Sequence, residues 1–468
     1  MKLRLLHSVF CCFFVIALQS QTTFNKTQSI ALPQPGGNAP YNITSGLVDD
    51  DAYVDLVVST TLGNSVYWLK NDGSGNFVLQ LPALATLNNA GGVALADLNN
   101  DGFNDIVSTS YNDGKLVWFQ NDGFGNFGTE QIISSTIVGP SQVYVRTIDN
   151  NTTLDVCVSA YDGNEVIWFA NDGLGNFGTK NIINNTIPFP GAFAMDDIDG
   201  DGDIDSVIAN AVNFGTPNDC RIEVFYNDGN GIFTADTNVV SLNTKDYIFS
   251  VMAEDIDGDN SRDILVTDLN GVPSYFKRNE VTPGTATYTE TALTTSIANP
   301  ACLDLQDLDN DGFPDFVLSS ATSGNGNDIV WYKSNGVGGF EPEVVIDATQ
   351  RQAYTFTFAD FENDGDLDIA SIAYADDKVN VFNNQLVTLS INENSLEEIS
   401  IFPNPATQIL NFNGFTERLS LKIFDVLGKQ MLNTTLPVNQ SLDISSLQAG
   451  MYFIKFDNSN TTFKFIKE

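Results

Sequence analysis

Histidine is all but missing from this 468-residue chain: the single copy, His7, stands within the first twenty residues. Imidazole is the commonest general base and metal ligand near neutral pH. Its absence after residue 20 excludes His-based triads, His zinc sites and His general bases together, leaving carboxylate, Lys, Tyr, Ser or Cys chemistry. Cysteine is also scarce. Cys11 and Cys12 share the opening segment, and Cys157, Cys220 and Cys302 are odd in number and widely spaced, which is no disulfide framework. Cys157 and Cys302 sit in apolar strand contexts and read as small buried hydrophobes. Positive charge is the third shortage, with 21 Lys and Arg against 59 Asp and Glu. Phosphate neutralisation needs clustered Lys and Arg, so nucleic acid is excluded as a partner. Beyond the opening segment no apolar run is long enough to cross a bilayer.

That segment has its own pattern. Lys2 and Arg4 precede an apolar run from Val9 to Leu18, and Gln19-Ser20-Gln21 offers a small residue for cleavage, so residues 1–20 read as a secretory signal peptide. Cys11 and Cys12 lie inside the run rather than after a small-residue lipid-attachment signal, which argues against a lipoprotein anchor. Removing the segment leaves 19 basic and 59 acidic residues, a net charge of −40.

Aspartate, by contrast, is abundant and recurs in one frame. The stretch Asp197-Ile198-Asp199-Gly200-Asp201-Gly202-Asp203-Ile204-Asp205 carries acids at its first, third, fifth and ninth positions, with glycines where the backbone bends. Such a loop repels itself unless a cation fills it. Ca²⁺ suits it, because it takes six to eight oxygen ligands in flexible geometry. The frame returns at Asp97-Asn99-Asp101-Asp105, Asp255-Asp257-Asp259-Asp263, Asp307-Asp309-Asp311-Asp315 and Asp360-Glu362-Asp364-Asp368. Two degenerate copies hold Asp49-Asp51-Asp55 and Asp149-Asn151-Asp155, with Leu47 and Thr147 at the first position. The expectation is five structural Ca²⁺ sites, weak binding at the two degenerate loops, and Leu47 folded inward as packing. An EF-hand would need Glu at the twelfth position. Ser108, Ile208, Val266, Leu318 and Ser371 stand there instead.

The ninth-position aspartates fall at 55, 105, 155, 205, 263, 315 and 368, so seven repeats of 50 to 58 residues form one repeat architecture. In the second repeat, Val93–Ala96 runs into the loop and Ile106–Ser110 leaves it. Asn112-Asp113-Gly114 makes a turn, Leu116–Phe119 is a third strand, and Phe127–Ile133 follows a second Gly-rich turn as a fourth. Four-strand meanders repeated seven times predict an all-β, seven-bladed β-propeller. The seventh repeat stops after its third strand, Lys378–Phe382, while Phe24–Ile30 has the pattern of the missing fourth. The N-terminal strand is therefore expected to complete the last blade and remove two open edges. Asp loops between the first two strands and Gly-rich turns at blade ends resemble the FG-GAP and VCBS-type repeats of integrin-alpha-like propellers. The resemblance spans about residues 22 to 385 and implies one Ca²⁺ per intact loop.

Trp68, Trp118, Trp168 and Trp331 hold one place in their third strands, which points to packing between sheets rather than to sugar stacking. The Asn-Asp-Gly-x-Gly turns at 71, 121, 171 and 227 read as hairpins, not as phosphate cradles. Recognition is expected on the opposite face, in blade-variable segments such as Asn210–Asp219 and Ser319–Asn327. Tyr111, Tyr161, Phe214 and Tyr374 are its candidate contacts.

After Phe382 the frame is lost. Residues 21–385 read as the propeller, 386–398 as an acidic linker, and 399–468 as a small Ig-like β-sandwich. Its landmarks, Phe402-Pro403-Asn404-Pro405-Ala406, Asp425-Val426-Leu427-Gly428-Lys429 and Leu447-Gln448-Ala449-Gly450-Met451-Tyr452, resemble the type A sorting domain of type IX secretion. That implies the type IX machinery as a partner and export through the periplasm to the outer-membrane surface or medium of a Gram-negative bacterium. An ordinary Ig-like adhesion domain is the competing reading. For the whole chain, the expectation is a secreted or cell-surface binding or adhesion module for a glycan or surface protein. The rival is a polysaccharide-active enzyme, a Ca²⁺-assisted lyase or hydrolase using Lys or Tyr as base.

Overall fold

The computed structural model describes residues 23–33, 37–211, 220–242, 245–280, 285–322, 326–336, 338–386, 400–413, 420–426, 429–436, 441–456 and 462–468. The expected leader at 1–20, Phe214 and nearly all of the 386–398 linker lie outside them. Contacts divide the chain into two compact units, the first ending at Leu386 and the second beginning at Val387. Among the described residues no helix is long and apolar enough to cross a membrane.

Each Asp loop delivers its ninth residue as the first of a six-residue strand: Asp55–Thr60, Asp105–Ser110, Asp155–Ala160, Asp205–Asn210, Asp263–Asp268, Asp315–Ser320 and Asp368–Ala373. All six residues of every one are buried. Both faces of these strands are covered by neighbouring sheets, so serines and threonines such as Ser108 and Thr109 are buried along with Val and Ile and no exposed face alternates with a buried one. Each is the second strand of an antiparallel sheet, and there are seven such sheets; the first and fourth gain a short extra strand. The innermost strands, Pro40–Gly46, Ala90–Ala96, Pro140–Arg146, Pro190–Asp196, Ile248–Glu254 and Pro300–Gln306, contact one another in sequence, and Phe356–Ala359 of the seventh sheet returns to the first. Sheets six and seven share the core of Leu308, Trp331, Phe356 and Phe382. The result is a closed, propeller-like ring.

The seam is where the sequence places it. Phe24–Ala31 pairs antiparallel with Lys378–Asn384, Phe24 facing Asn384, with a bulge between Lys26 and Gln28. In the second sheet the fourth strand is shorter than expected: Phe127 makes only an isolated bridge to Asn121, and the strand proper is Gln131–Ser134.

Side chains stitch neighbouring sheets together. Asn121, at the end of a third strand, donates through Nδ2 to Val48 O in the preceding sheet's loop (2.7 Å) and to Asn104 O in its own (2.9 Å). Asn171 does the same to Leu98 and Leu154, Asn227 to Ile148 and Ile204, and Asn384 to Leu308 and Leu367. Asn71 closes the ring by reaching Phe361 of the seventh sheet at 2.9 Å. Arg278 and Ser334 stand at the corresponding place in the fifth and sixth sheets. Arg278 is buried and reaches the fourth sheet instead, through the Tyr226 hydroxyl at 3.4 Å.

The tryptophans pack as the recurrence predicts. A Cβ on Gly125, at φ +75°, would come within 2.5 Å of the Trp68 ring, and Gly175 and Gly231 lie equally tight on Trp118 and Trp168. These turns must carry glycine because the preceding sheet's indole fills the space. Among the described residues no such turn lies on Trp331. Phe24 of the N-terminal strand covers it instead, edge-on at 6.4 Å.

The second unit has a three-stranded sheet, Ser400–Phe402, Ile409–Asn413 and Ser441–Asp443, and a four-stranded one, Gln430–Thr435, Ser420–Asp425, Gly450–Phe456 and Thr462–Lys467. Leu410, Phe412, Leu421, Ile423, Ile454 and Phe465 form one core between them.

Candidate functional site

The Asp loops are held open by their own backbone. Asp97 accepts the N–H of Asp101 (3.1 Å) and of Gly102 (2.8 Å), wrapping the loop around its carboxylate. Asp307 and Asp360 repeat this with Asp311, Gly312, Asp364 and Gly365, while Asp197 and Asp255 accept from residues three to five ahead. The fifth-position carboxylates of Asp101, Asp201, Asp259, Asp311 and Asp364 each accept the N–H two residues on.

Ninth-position aspartates serve the fold as well as the loop. Asp105 Oδ1 accepts the N–H of Asn121 (2.8 Å) and its Oδ2 that of Leu98 (3.1 Å). Asp155, Asp205, Asp315 and Asp368 make the same pair of bonds. Burial pushes their carboxyl pKa up, to about 6 in Asp105, Asp155, Asp263 and Asp315, about 7 in Asp55 and Asp205 and about 8 in Asp368. A cation in the loop would offset that cost. Each oxygen keeps a second lone pair beyond the amide bond.

The third-position acids point to the same need. Asp257 Oδ1, Asp309 Oδ1 and Glu362 Oε2 are buried acceptors with no hydrogen-bond partner. Oxygens from Asp197, Asp199 and Asp205, from Asp255, Asp257 and Asp259, and from Asp307, Asp309 and Asp311 gather within 4.8 Å of one another. Such all-oxygen, acid-rich sets fit a hard divalent cation. The degenerate loops differ. Leu47 is 44 % exposed, so it does not fold inward as expected: unlike Asp97, whose carboxylate accepts the loop's own N–H groups, it has no polar group to turn into the loop. Lys70 instead pairs with Asp49 and with Asp51 at 3.0 Å, which holds its ammonium pKa above the usual range.

At the other face, tyrosines from several sheets converge on the ring axis. Tyr161 packs on Phe189 (5.5 Å between centroids) and shares a hydrogen bond with Tyr247. Tyr354 meets Tyr374 edge-on at 4.8 Å and stacks on Phe249 at 5.5 Å. Tyr41, Tyr161, Tyr247 and Phe249 line a small hollow of about 60 Å³ with Asn42, Gln142 and Thr355. Of the contacts expected from sequence, Tyr161 and Tyr374 belong to this group. Tyr111 stands beside it, its hydroxyl bonded to Asp162 at 2.7 Å. Tyr41, Tyr247, Phe249 and Tyr354 are unanticipated. Burial raises the hydroxyl pKa of Tyr41, Tyr111, Tyr161, Tyr247 and Tyr354. Below the hollow a chamber of about 320 Å³ is lined by Tyr144, Arg146, Asp196, Glu254 and Asp304. Burial pushes the Asp304 carboxyl up to about 6. Arg146 lies over the Tyr144 ring at 5.8 Å.

The repeat is now defined by its loop, its glycine turn and its sheet order. The FG-GAP-like repeat family matches residues 48–108, 97–158, 197–266 and 283–371, more than half of the chain. The chain is an FG-GAP-repeat protein. Residues 400–468 match the secretion system C-terminal sorting domain, so this FG-GAP protein is a type IX secretion client delivered to the cell surface or extracellular space. No curated protein matches the chain in sequence. Among solved structures it is similar to an Agrocybe aegerita lectin that recognises non-reducing terminal N-acetylglucosamine (16 % identity, 66 % of this chain, 81 % of that one, TM-score 0.47). It is also similar to virginiamycin B lyase from Staphylococcus aureus (13 %, 78 % and 99 %, 0.46). A third is PorZ of Porphyromonas gingivalis, described as an essential surface component of type IX secretion (12 %, 94 % and 60 %, 0.44).

Proposed function

We propose that this FG-GAP protein is a calcium-stabilised binding module that takes a glycan or surface protein on the tyrosine-ringed axial mouth. The observation that carries the reading is the convergence of Tyr41, Tyr161, Tyr247 and Phe249 on one small hollow that Asn42 and Gln142 also line, with Tyr354 stacked on Phe249. Tyrosine offers a large rigid ring with a polar tip, and both parts suit a sugar or a protein loop at small entropic cost. The enzyme reading has the charged chamber in its favour. Against it, burial raises the tyrosine hydroxyls, the opposite of what a proton-abstracting base requires.

A glycan array and surface-polysaccharide pull-down with the intact secreted protein, repeated with Tyr161→Ala and Tyr354→Ala, tests the site. Binding lost in both variants at unchanged melting temperature supports it, and turnover of a bound polysaccharide would favour the enzyme instead. For calcium, chelation should lower the melting temperature and added Ca²⁺ restore it, by about 2.7 kcal/mol per site at a hundredfold excess over Kd. An unchanged melting temperature in excess chelator would remove calcium from the account.

A further inference from the structure

We propose that the seven loops are neutralised in three different ways, with lysine the counter-ion of the first loop and a competitor of calcium in the fifth and sixth; this rests on the calcium reading above. The residue before each of Asn71, Asn121, Asn171, Asn227, Arg278, Ser334 and Asn384, at 70, 120, 170, 226, 277, 333 and 383, lies beside its own sheet's loop in the antiparallel pairing of second and third strands. In three sheets it is lysine. Lys70 Nζ pairs with Asp49 and with Asp51 at 3.0 Å, Lys277 with Asp257 and with Asp259 at 3.0 Å, and Lys333 with Asp309 and with Asp311 at 2.8 Å. Every one of these ammonium groups bridges the third- and fifth-position carboxylates, the acids a bound calcium would need.

Elsewhere the position is neutral. Gln120 donates to Asp101 at 3.2 Å, Asn383 donates to Glu362 at 2.5 Å, and the Tyr226 hydroxyl turns away to Asp236. Ala170 brings nothing, and the third loop has shed charge of its own: Asn151 replaces an acid and donates to Asn171 O at 3.1 Å.

The loops therefore sort by chemistry. The second, fourth and seventh have full donor sets and no lysine bridging their acids, which leaves room for an external ion; at the fourth, Arg278, bonded to the Tyr226 hydroxyl, also attracts Asp199. The fifth and sixth have full donor sets already bridged by an ammonium, and a divalent ion entering there stands a few ångströms from a positive charge. Lysine is a flexible tether and can swing out, so calcium competes with it rather than being barred. The first loop lacks its leading ligand, and there Lys70 is the permanent counter-ion. Wild-type protein should thus take three calcium ions tightly and two about tenfold or more weakly.

Calcium titration of the metal-free intact chain by calorimetry and native mass spectrometry tests this, using Lys277→Met, Lys333→Met and Lys70→Met. Each of the first two variants should convert one weak site into a tight one, whereas Lys70→Met should add none and melt lower with or without calcium. A readout on the unmutated protein guards against misfolded variants: amine labelling should show Lys277 and Lys333 becoming reactive as calcium is added while Lys70 stays protected. Five equal sites in wild type, or labelling indifferent to calcium, overturns the lysine proposal and leaves the calcium reading standing. No uptake by any form removes the calcium reading itself.

Discussion

At the scale of single residues, the sidedness of the Asn-Asp-Gly-x-Gly turn matters most. Its asparagine looks like a hairpin residue, yet it spends its side chain on the sheet before it. Asn121→Ala would remove three hydrogen bonds, the two Nδ2 donates and the one Oδ1 accepts from Gly123, and leave the carbonyls of Val48 and Asn104 short of a donor. The expected cost is about 2–4 kcal/mol, read as a shift in denaturant midpoint. This role was not legible in the sequence, because the partner lies 73 residues away in a neighbouring repeat. The lysine bridges escaped notice for a related reason: Lys70, Lys277 and Lys333 align only once the third-strand register is known. Another residue offers a pH test away from the loops. Asp328 is 1 % exposed, and burial next to Asp347 pushes its carboxyl up from 3.8 to about 7. The folded form thus keeps a proton that the unfolded form releases, so this group's stabilisation is complete below about pH 4 and is lost as pH rises through about 7. Asp328→Asn should flatten that component. The difference in melting temperature between wild type and variant should change by a few degrees between pH 5.5 and 8, and a constant difference would refute the assignment.

At the scale of elements, the N-terminal strand is the piece whose loss is most informative. Phe24–Ala31 supplies the fourth strand of the last sheet, the cover over Trp331, and Lys26, whose ammonium reaches Asp347 at 3.1 Å and Thr349 at 2.7 Å. Replacing residues 24–31 with a Gly/Ser segment should expose the edge of Lys378–Asn384 and yield soluble aggregates on gel filtration. A monodisperse product of unchanged stability would contradict this. The closure was legible because the seventh repeat is visibly one strand short and the missing pattern stands at the other end of the chain. Strand limits were less so. Phe127 follows its turn with strand-like spacing, but the turn consumes the residues after it before regular pairing resumes at Gln131.

For the whole molecule, the sorting domain fixes destination, and the recognition proposed above is assigned to the ring. Deleting residues 400–468 should leave the ring folded but retained in the periplasm, as measured by fractionation, and normal appearance of the truncated protein outside the cell would contradict the sorting role. The axial mouth was half legible. Tyr161 and Tyr374 follow second strands in segments that differ among repeats, and so drew notice, whereas Tyr41 and Tyr247 stand at innermost strands, where an aromatic reads as core. The pairing of Phe24 with Asn384 has one more consequence. Residues opposed in an antiparallel ladder lie about 5 Å apart, so the ring begins and ends at the same point in space. A linker of a few residues could join those ends and new termini be cut at the tip of any Gly-rich turn. A circular permutant opened between Phe124 and Gly125 would keep every sheet and every asparagine bond between sheets, which makes the order in which the repeats are read an accident of where the gene starts rather than a property of the ring.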